Sequence, residues 1–139
     1  MAGYSGTPLV KKLGIKPGSN IAFVNAPPGY RNDLDLPPDV TINSRSNKSL
    51  DFAQLFVKSA KELKTEFSRY AERLNASGML WVSWPKKSSG VPTDLSDNVV
   101  REIGLTAGLV DIKVCAVDEV WSGLKFVHRV KDRVKVKPQ

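Results

Sequence analysis

One cysteine and one histidine stand among the 139 residues, and that scarcity excludes a good deal. A lone thiol closes no internal disulfide, which points to a reducing compartment. With one imidazole and one thiol, a metal centre would depend on oxygen ligands, and no spaced acidic cluster supplies them. No apolar run approaches the roughly 20 residues that span a bilayer. The opening residues lack the charged, apolar, small-residue order of a signal peptide, and Ala2 stands where a myristoylation signal needs glycine. Three phosphate and nucleophile signatures are also missing: G-x-G-x-x-G, G-x-x-x-x-G-K-[ST] and G-x-S-x-G. The expectation is a soluble cytoplasmic protein with no metal and no cofactor. Asn47-Lys48-Ser49 and Asn75-Ala76-Ser77 then match the glycosylation pattern only by chance.

The remaining composition suits one globular domain. A 41% hydrophobic share in a chain of this length is enough to bury a core without staples. The net charge of +7 invites a polyanion reading, so its position matters. Residues 1–20 hold Lys11, Lys12 and Lys16 with no acid. Residues 128–139 hold Arg129, Lys131, Arg133, Lys135 and Lys137 against Asp132. Between them, residues 21–127 balance 13 basic against 13 acidic side chains. A basic end attracts any polyanion in a salt-dependent way and carries no sequence specificity. Residues 1–128 are therefore read as one domain and residues 129–139 as a mobile basic tail. That tail serves solubility, and nucleic acid is not an expected partner.

Along the chain, Thr7-Pro8 can open a short helix that Gly14 stops, and Lys16-Pro17-Gly18 is a turn. Ile21 to Ala26 is an apolar run suited to a strand buried on both faces. Residues 27–51, rich in Pro, Asn, Asp and Ser, form a long loop with an edge strand at Val40 to Asn43. Phe52 to Val57 is a second strand. Ser59 and Glu62 make a capping box ahead of Ala60, Leu63, Phe67, Tyr70, Ala71 and Leu74 at helical spacing. Gly78 to Trp84 is a third strand. Asp94 or Ser96 caps a second helix with Leu95, Val99, Val100 and Ile103 inward and Gly108 at its end. Val110 to Val117 is a strand with Val110, Ile112, Val114 and Ala116 on one face, and Leu124 to Val130 returns beside it. Strands alternating with helices predict a three-layer α/β domain: a mostly parallel sheet, helical crossovers and an antiparallel C-terminal edge strand.

Ligands of open parallel sheets bind beyond the carboxyl ends of the strands. Three unusual segments follow strands there, and they supply the candidate ligand residues. The first offers Asn25 and Tyr30, and the second Trp84, Lys86, Lys87, Ser88 and Ser89. The third offers Asp118, Glu119 and Trp121. Lys86 to Gly90 has the ammonium groups, hydroxyls and glycine of an anion cradle, and equally the letters of a solvated turn. Trp84 and Trp121 could cover a flat ligand or a partner, or pack in the core, as Trp81 is expected to do. Asp118 or Glu119 could work with Lys86 or Lys87 as acid and base, or form surface ion pairs. His128 and Cys115 are read as packing residues in strands. No residue is assigned as catalytic.

The stretches Ala2-Gly3-Tyr4-Ser5-Gly6-Thr7-Pro8-Leu9, Asn25-Ala26-Pro27, Trp84-Pro85-Lys86-Lys87-Ser88, Ala107 to Val114 and Trp121 to Phe126 resemble a family of small bacterial proteins classed as a domain of unknown function. The resemblance covers most of the chain outside residues 31–58. It implies a bacterial, cytoplasmic, single-domain protein and transfers no reaction, substrate or cofactor. The helix ending at Gly108 and the final hairpin also resemble the back half of a nucleotide-dependent methyltransferase. Those enzymes place a glycine-rich cofactor loop where this chain has prolines, and the likeness is an analogy of fold.

The sequence does not say what the domain does. The missing signatures favour a non-catalytic binding or regulatory module, taking a small anion or a protein partner at the carboxyl edge. The alternative is an enzyme of unrecognised type using a Lys/carboxylate pair at that edge. Last comes a non-specific nucleic-acid binder acting through the basic tail.

Overall fold

Short apolar runs in this chain become strands because both of their faces are covered, and six of them share one sheet. The computed structural model describes residues 8–42 and 49–135. In chain order the elements are α1 (Leu9–Leu13), β1 (Asn20–Val24), α2 (Tyr30–Asp33), β2 (Thr41–Ile42), β3 (Leu50–Phe56), α3 (Ala60–Ala71), β4 (Leu74–Pro85), α4 (Asp97–Thr106), β5 (Leu109–Ala116) and β6 (Trp121–His128). The sheet order is β2-β1-β3-β4-β6-β5. The first four strands are parallel, and β6 runs antiparallel between β4 and β5. This is the expected mostly parallel α/β domain. The antiparallel C-terminal strand lies inside the sheet, and the edge beside it is β5.

Helices α3 and α4 cover one face. Ser59 Oγ accepts the Glu62 N–H at 3.1 Å, and Glu62 reaches back to accept the Lys58 N–H at 3.1 Å. Ser96 Oγ caps α4 by accepting the Val99 N–H, while Asp94 accepts the Ala60 N–H at 2.8 Å and ties the two helix starts together. Leu63, Phe67, Tyr70 and Val100 bury against Leu55, Leu80, Val82, Leu124 and Phe126. Each full burial of such an apolar side chain is worth about 1.5–3 kcal/mol. Gly104 is needed in α4 because a Cβ there would overlap the Phe126 ring, which stacks edge-on against Phe67.

The opposite face has a thinner cover. Helix α1 spans five residues and ends at Gly14, whose φ of 88° suits glycine. The Trp81 indole N–H donates to the Leu13 carbonyl at 2.9 Å, so a sheet residue satisfies the end of the helix. Thr7, the expected cap, lies outside the described residues, and Pro8 holds that position.

Three local expectations need correcting. Helix α3 stops before Leu74, which instead opens β4 and is buried there. Within residues 27–51, Tyr30–Asp33 forms a turn of helix, and the edge strand is Thr41–Ile42, with Asn43 outside the described residues. The apolar row on β5 does not face the core: Ile112 is 57% and Val114 61% exposed. A register shift between Asp111 and Lys113 breaks the alternation, and an edge strand lacks a neighbour to cover it.

Candidate functional site

The chain leaves β1 toward β2 on one side and later runs from β3 to β4 on the other. The strand order therefore reverses between β1 and β3, the place where such sheets bind ligands. The three unusual segments do meet at this carboxyl edge. The Lys86 N–H donates to the Val120 carbonyl at 2.7 Å, joining the second segment to the third. Tyr30, Phe56 and Trp121 form a continuous edge-to-face series, with centroids 4.8 and 5.1 Å apart, joining the first to the third.

Tyr30 is 8% exposed, which corrects its expected place on the ligand surface. The single turn of α2 swings its ring inward against Phe23 and Phe56. Its hydroxyl donates to Gln54 Oε1 at 2.9 Å, and Gln54 Nε2 donates to Ser83 Oγ at 3.0 Å. Gln54 and Ser83 are fully buried, so this polar chain keeps otherwise costly groups paired. Burial pushes the Tyr30 hydroxyl well above its ordinary value; the Gln54 hydrogen bond pulls the other way, and Asp118 and Cys115 add to the rise.

Trp84 is corrected as well. It is 5% exposed and packs in the core under α3 and α4, while the half-buried Trp121 belongs to the opposite face. The two indoles cannot clasp one ligand: Trp121 is the cross-strand partner of Pro85, the residue after Trp84, and successive residues along a strand point to opposite sides. Trp81 is fully buried, as expected.

The Lys86–Gly90 segment folds as one short helical turn over Lys87–Ser89. Ser89 Oγ donates to the Lys86 carbonyl at 2.6 Å and accepts the Val91 N–H at 3.2 Å. The N–H groups of Ser89 and Gly90 donate to the Lys86 and Lys87 carbonyls, so these two donors serve the turn itself. Lys87 and Ser88 are exposed, and Lys86 is half-buried. Asp118 accepts the N–H groups of Val120 and Trp121, both at 2.8 Å, and Glu119 faces solvent. Among the described residues the ion pairs are Arg69–Glu66 and Arg101–Asp111, so no lysine of this edge is paired with Asp118 or Glu119. Asn25 is exposed, takes a φ of 58°, and donates from Nδ2 to Glu62 at 3.3 Å.

Cys115 packs against the core on the α1/α2 face of the sheet. It is half-buried on the Tyr30 side of the sheet, where burial pushes the thiol up and Lys12, Lys113 and Lys86 pull it down. Lys113 is a neighbour on the same strand, while Lys12 and Lys86 come from distant segments that spacing could not bring together. His128 lies at the other end of β4, its Nε2–H donating to the Leu74 carbonyl at 3.2 Å. Among the described residues no group of three His, Cys, Asp or Glu could hold a metal, and no helix is long and apolar enough to cross a membrane.

No protein-family model matches the chain, and no curated protein sequence does. Solved structures do resemble it. A SAM-dependent methyltransferase from Aquifex aeolicus superposes with a TM-score of 0.64 at 15% identity, covering 85% of this chain and 86% of that one. Magnesium protoporphyrin IX methyltransferase from Synechocystis, with bound SAM, gives 0.57 at 11% identity over 87% and 74%. The fibrillarin pre-rRNA processing protein of Methanococcus jannaschii gives 0.54 at 11% identity over 82% and 68%. The chain thus has a methyltransferase-type α/β fold. That finding overturns the preference for a non-catalytic binding or regulatory module, which rested on missing motifs, and it favours the enzyme alternative.

The fold raises the question of S-adenosylmethionine, and the segment after β1 answers it. A nucleoside cofactor at a switch point rests on a glycine-rich turn whose N–H groups face it as a helix begins. Here Pro27 and Pro28 have no N–H, and the Tyr30 N–H donates to the Pro27 carbonyl. Gly29 has nothing within 4 Å of where a Cβ would stand, so no close approach requires it, and the helix that follows is a single turn. These residues do not fit a glycine-cradled cofactor.

Proposed function

We propose that this chain is an enzyme that converts a small polar ligand at the carboxyl edge of a methyltransferase-type sheet, without a glycine-cradled S-adenosylmethionine. The observation that carries this reading is the convergence of residues 25–30, 85–90 and 118–123 over the switch point. The convergence leaves Lys86, Cys115 and Asp118 on one side of the sheet beside the Tyr30–Gln54–Ser83 chain. Lys86 is the expected charge-bearing group for an anionic or carbonyl-bearing substrate. Asp118 is held in place beside it by two backbone N–H groups, and the half-buried Trp121, backed by the buried rings of Phe56 and Tyr30, is the apolar wall. The resemblance to a small bacterial family fits a cytoplasmic enzyme.

A ligand that binds only the folded state raises its melting temperature by mass action, with about 2.7 kcal/mol available at a hundredfold excess over Kd. A melting screen of small metabolites against wild type and Lys86→Ala should find a compound whose shift disappears in the variant. Turnover of that compound should fall about a hundredfold or more in Lys86→Ala. Shifts that survive Lys86→Ala would overturn the role of that lysine. A clear shift with S-adenosylhomocysteine would overturn the conclusion about the cofactor.

A further inference from the structure

Away from the carboxyl edge, the fold collects lysines that the sequence keeps a hundred residues apart. Lys113 of β5 and Lys125 of β6 are direct cross-strand partners. Like charges placed opposite each other across a ladder destabilise it. Lys113 Nζ donates to the Lys12 carbonyl at 3.2 Å, which brings the pair to the end of α1. Lys125 Nζ lies 3.7 Å from where a Gly14 Cβ would stand, at the same helix end. Lys16 follows on the turn leading to β1, close enough to join Lys113 in lowering the Lys125 ammonium, after burial as the first cause. None of these four lysines has an ion-pair partner among the described residues; both ion pairs lie on or beside α3 and α4.

The end of α1 explains part of this gathering. A helix C-terminus attracts cations, and its macrodipole amounts to roughly half a negative charge. Half a charge does not balance four ammonium groups, one of them half-buried. Helix α1 is also only five residues long and carries Lys11 and Lys12 in its own last turn. The arrangement costs stability in the free protein and is offset once an anion of matching charge arrives.

We propose that Lys12, Lys16, Lys113 and Lys125 form a second ligand site, separate from the carboxyl edge, for a compact anion carrying two or three phosphate groups. Phosphate groups at neutral pH bring roughly 1.5–2 charges each, so such a ligand matches the cluster. Two ammonium groups at one helix end, with Lys16 close to Lys125 and Lys12 in the last turn of that helix, suit a compact polyanion better than an extended one. Lysine also supplies the point charge that phosphate oxygens take without demanding a fork geometry. This site shares no residue with those assigned to the carboxyl edge, although Cys115, which feels Lys12 and Lys113 as well as Lys86, lies where the two adjoin.

The test is calorimetric titration of the full chain with inorganic tripolyphosphate at low and moderate salt, using Lys113→Gln and Lys125→Gln singly and together. Both changes keep much of the side-chain length. A Lys61→Gln/Lys64→Gln variant on exposed α3 removes the same charge elsewhere. The expected result is 1:1 binding, weakened at least tenfold in the double variant and less than twofold in the α3 variant. The free double variant should also melt no lower than wild type, because repulsion has been relieved. Titration with a nucleoside triphosphate distinguishes the source: equal affinity indicates the phosphate chain alone, and tighter binding indicates a nucleotide at the same lysines. Three outcomes would overturn the proposal: no binding by wild type, equal loss in the α3 variant, or much tighter binding to a uridine homopolymer than to tripolyphosphate.

Discussion

The two faces of the sheet are built on different principles. One face is covered by the capped helices α3 and α4, of 12 and 10 residues, over a mainly apolar interior with a glycine placed to admit the Phe126 ring. The other face is covered by α1 of five residues, α2 of four and irregular chain. There the interior includes Tyr30, Gln54 and Ser83, and the surface bears the lysines and Cys115. One face is therefore optimised for stability. The other keeps groups that are costly to bury or to bring together, which a purely structural surface would not retain. The chemistry assigned to this chain lies on the costly face.

That contrast can be broken by substitution, and the largest effect is expected on the stabilising face. Phe67→Ala empties a fully buried ring site and should cost about 3–5 kcal/mol in urea unfolding, with ligand binding by the remaining folded protein unchanged. A cost below about 1 kcal/mol would mean the α3 face is not the stability core. Tyr30→Phe sharpens the other side. It leaves Gln54 Oε1 without its donor in a buried setting and should cost about 1–3 kcal/mol, in addition to weakening any ligand at the carboxyl edge. A neutral outcome would show that the Tyr30–Gln54–Ser83 chain is not formed. Ser59→Ala removes the cap of α3 and should cost about 1 kcal/mol, again without touching the site.

The smallest effect has the opposite sign. Lys125→Gln should raise stability by a few tenths of a kcal/mol at neutral pH by removing a like-charge cross-strand pair. Because the Lys125 ammonium is lowered in the folded chain, the unfolded chain holds that proton more readily. This group's contribution therefore favours folding more as pH rises through its folded value, levelling off above the ordinary lysine value of 10.5. Wild type should gain on the variant between neutral and alkaline pH, and parallel stability curves would show that Lys125 is not perturbed.

Much of the fold was legible because local signals agreed with one another. The Ser59/Glu62 box, the helical spacing behind it, the alternation of strands and helices, and the closing hairpin all pointed to the architecture found. The meeting of the three carboxyl-edge segments followed from parallel strands alone. Three features were hidden for physical reasons. Tyr30 lies in a Pro- and Asn-rich stretch with no periodicity, so its inward turn depends on Phe23, Phe56 and Gln54, which are distant or on another strand. The row Ile112 and Val114 assumed an unbroken alternation, which the register shift interrupts. The lysine cluster could not be counted along the chain: Lys12 and Lys16 lay in a segment of net charge, while Lys113 and Lys125 lay in a neutral stretch. The function leaned the wrong way for a related reason, because absent signatures describe individual cofactor loops and say nothing about the sheet that carries them.

The central claim is that ligand chemistry belongs to the α1/α2 side of the carboxyl edge and proceeds without a glycine-cradled cofactor. Backbone amide mapping by NMR during titration of the full chain, with a metabolite panel and with S-adenosylhomocysteine, tests it most directly. The account predicts perturbations confined to residues 25–30, 86–90 and 118–121 for a bound metabolite, and none with S-adenosylhomocysteine. Perturbations centred on the groove of about 520 Å³ between α3 and α4, around Lys64, Val99 and Ile103, would contradict it.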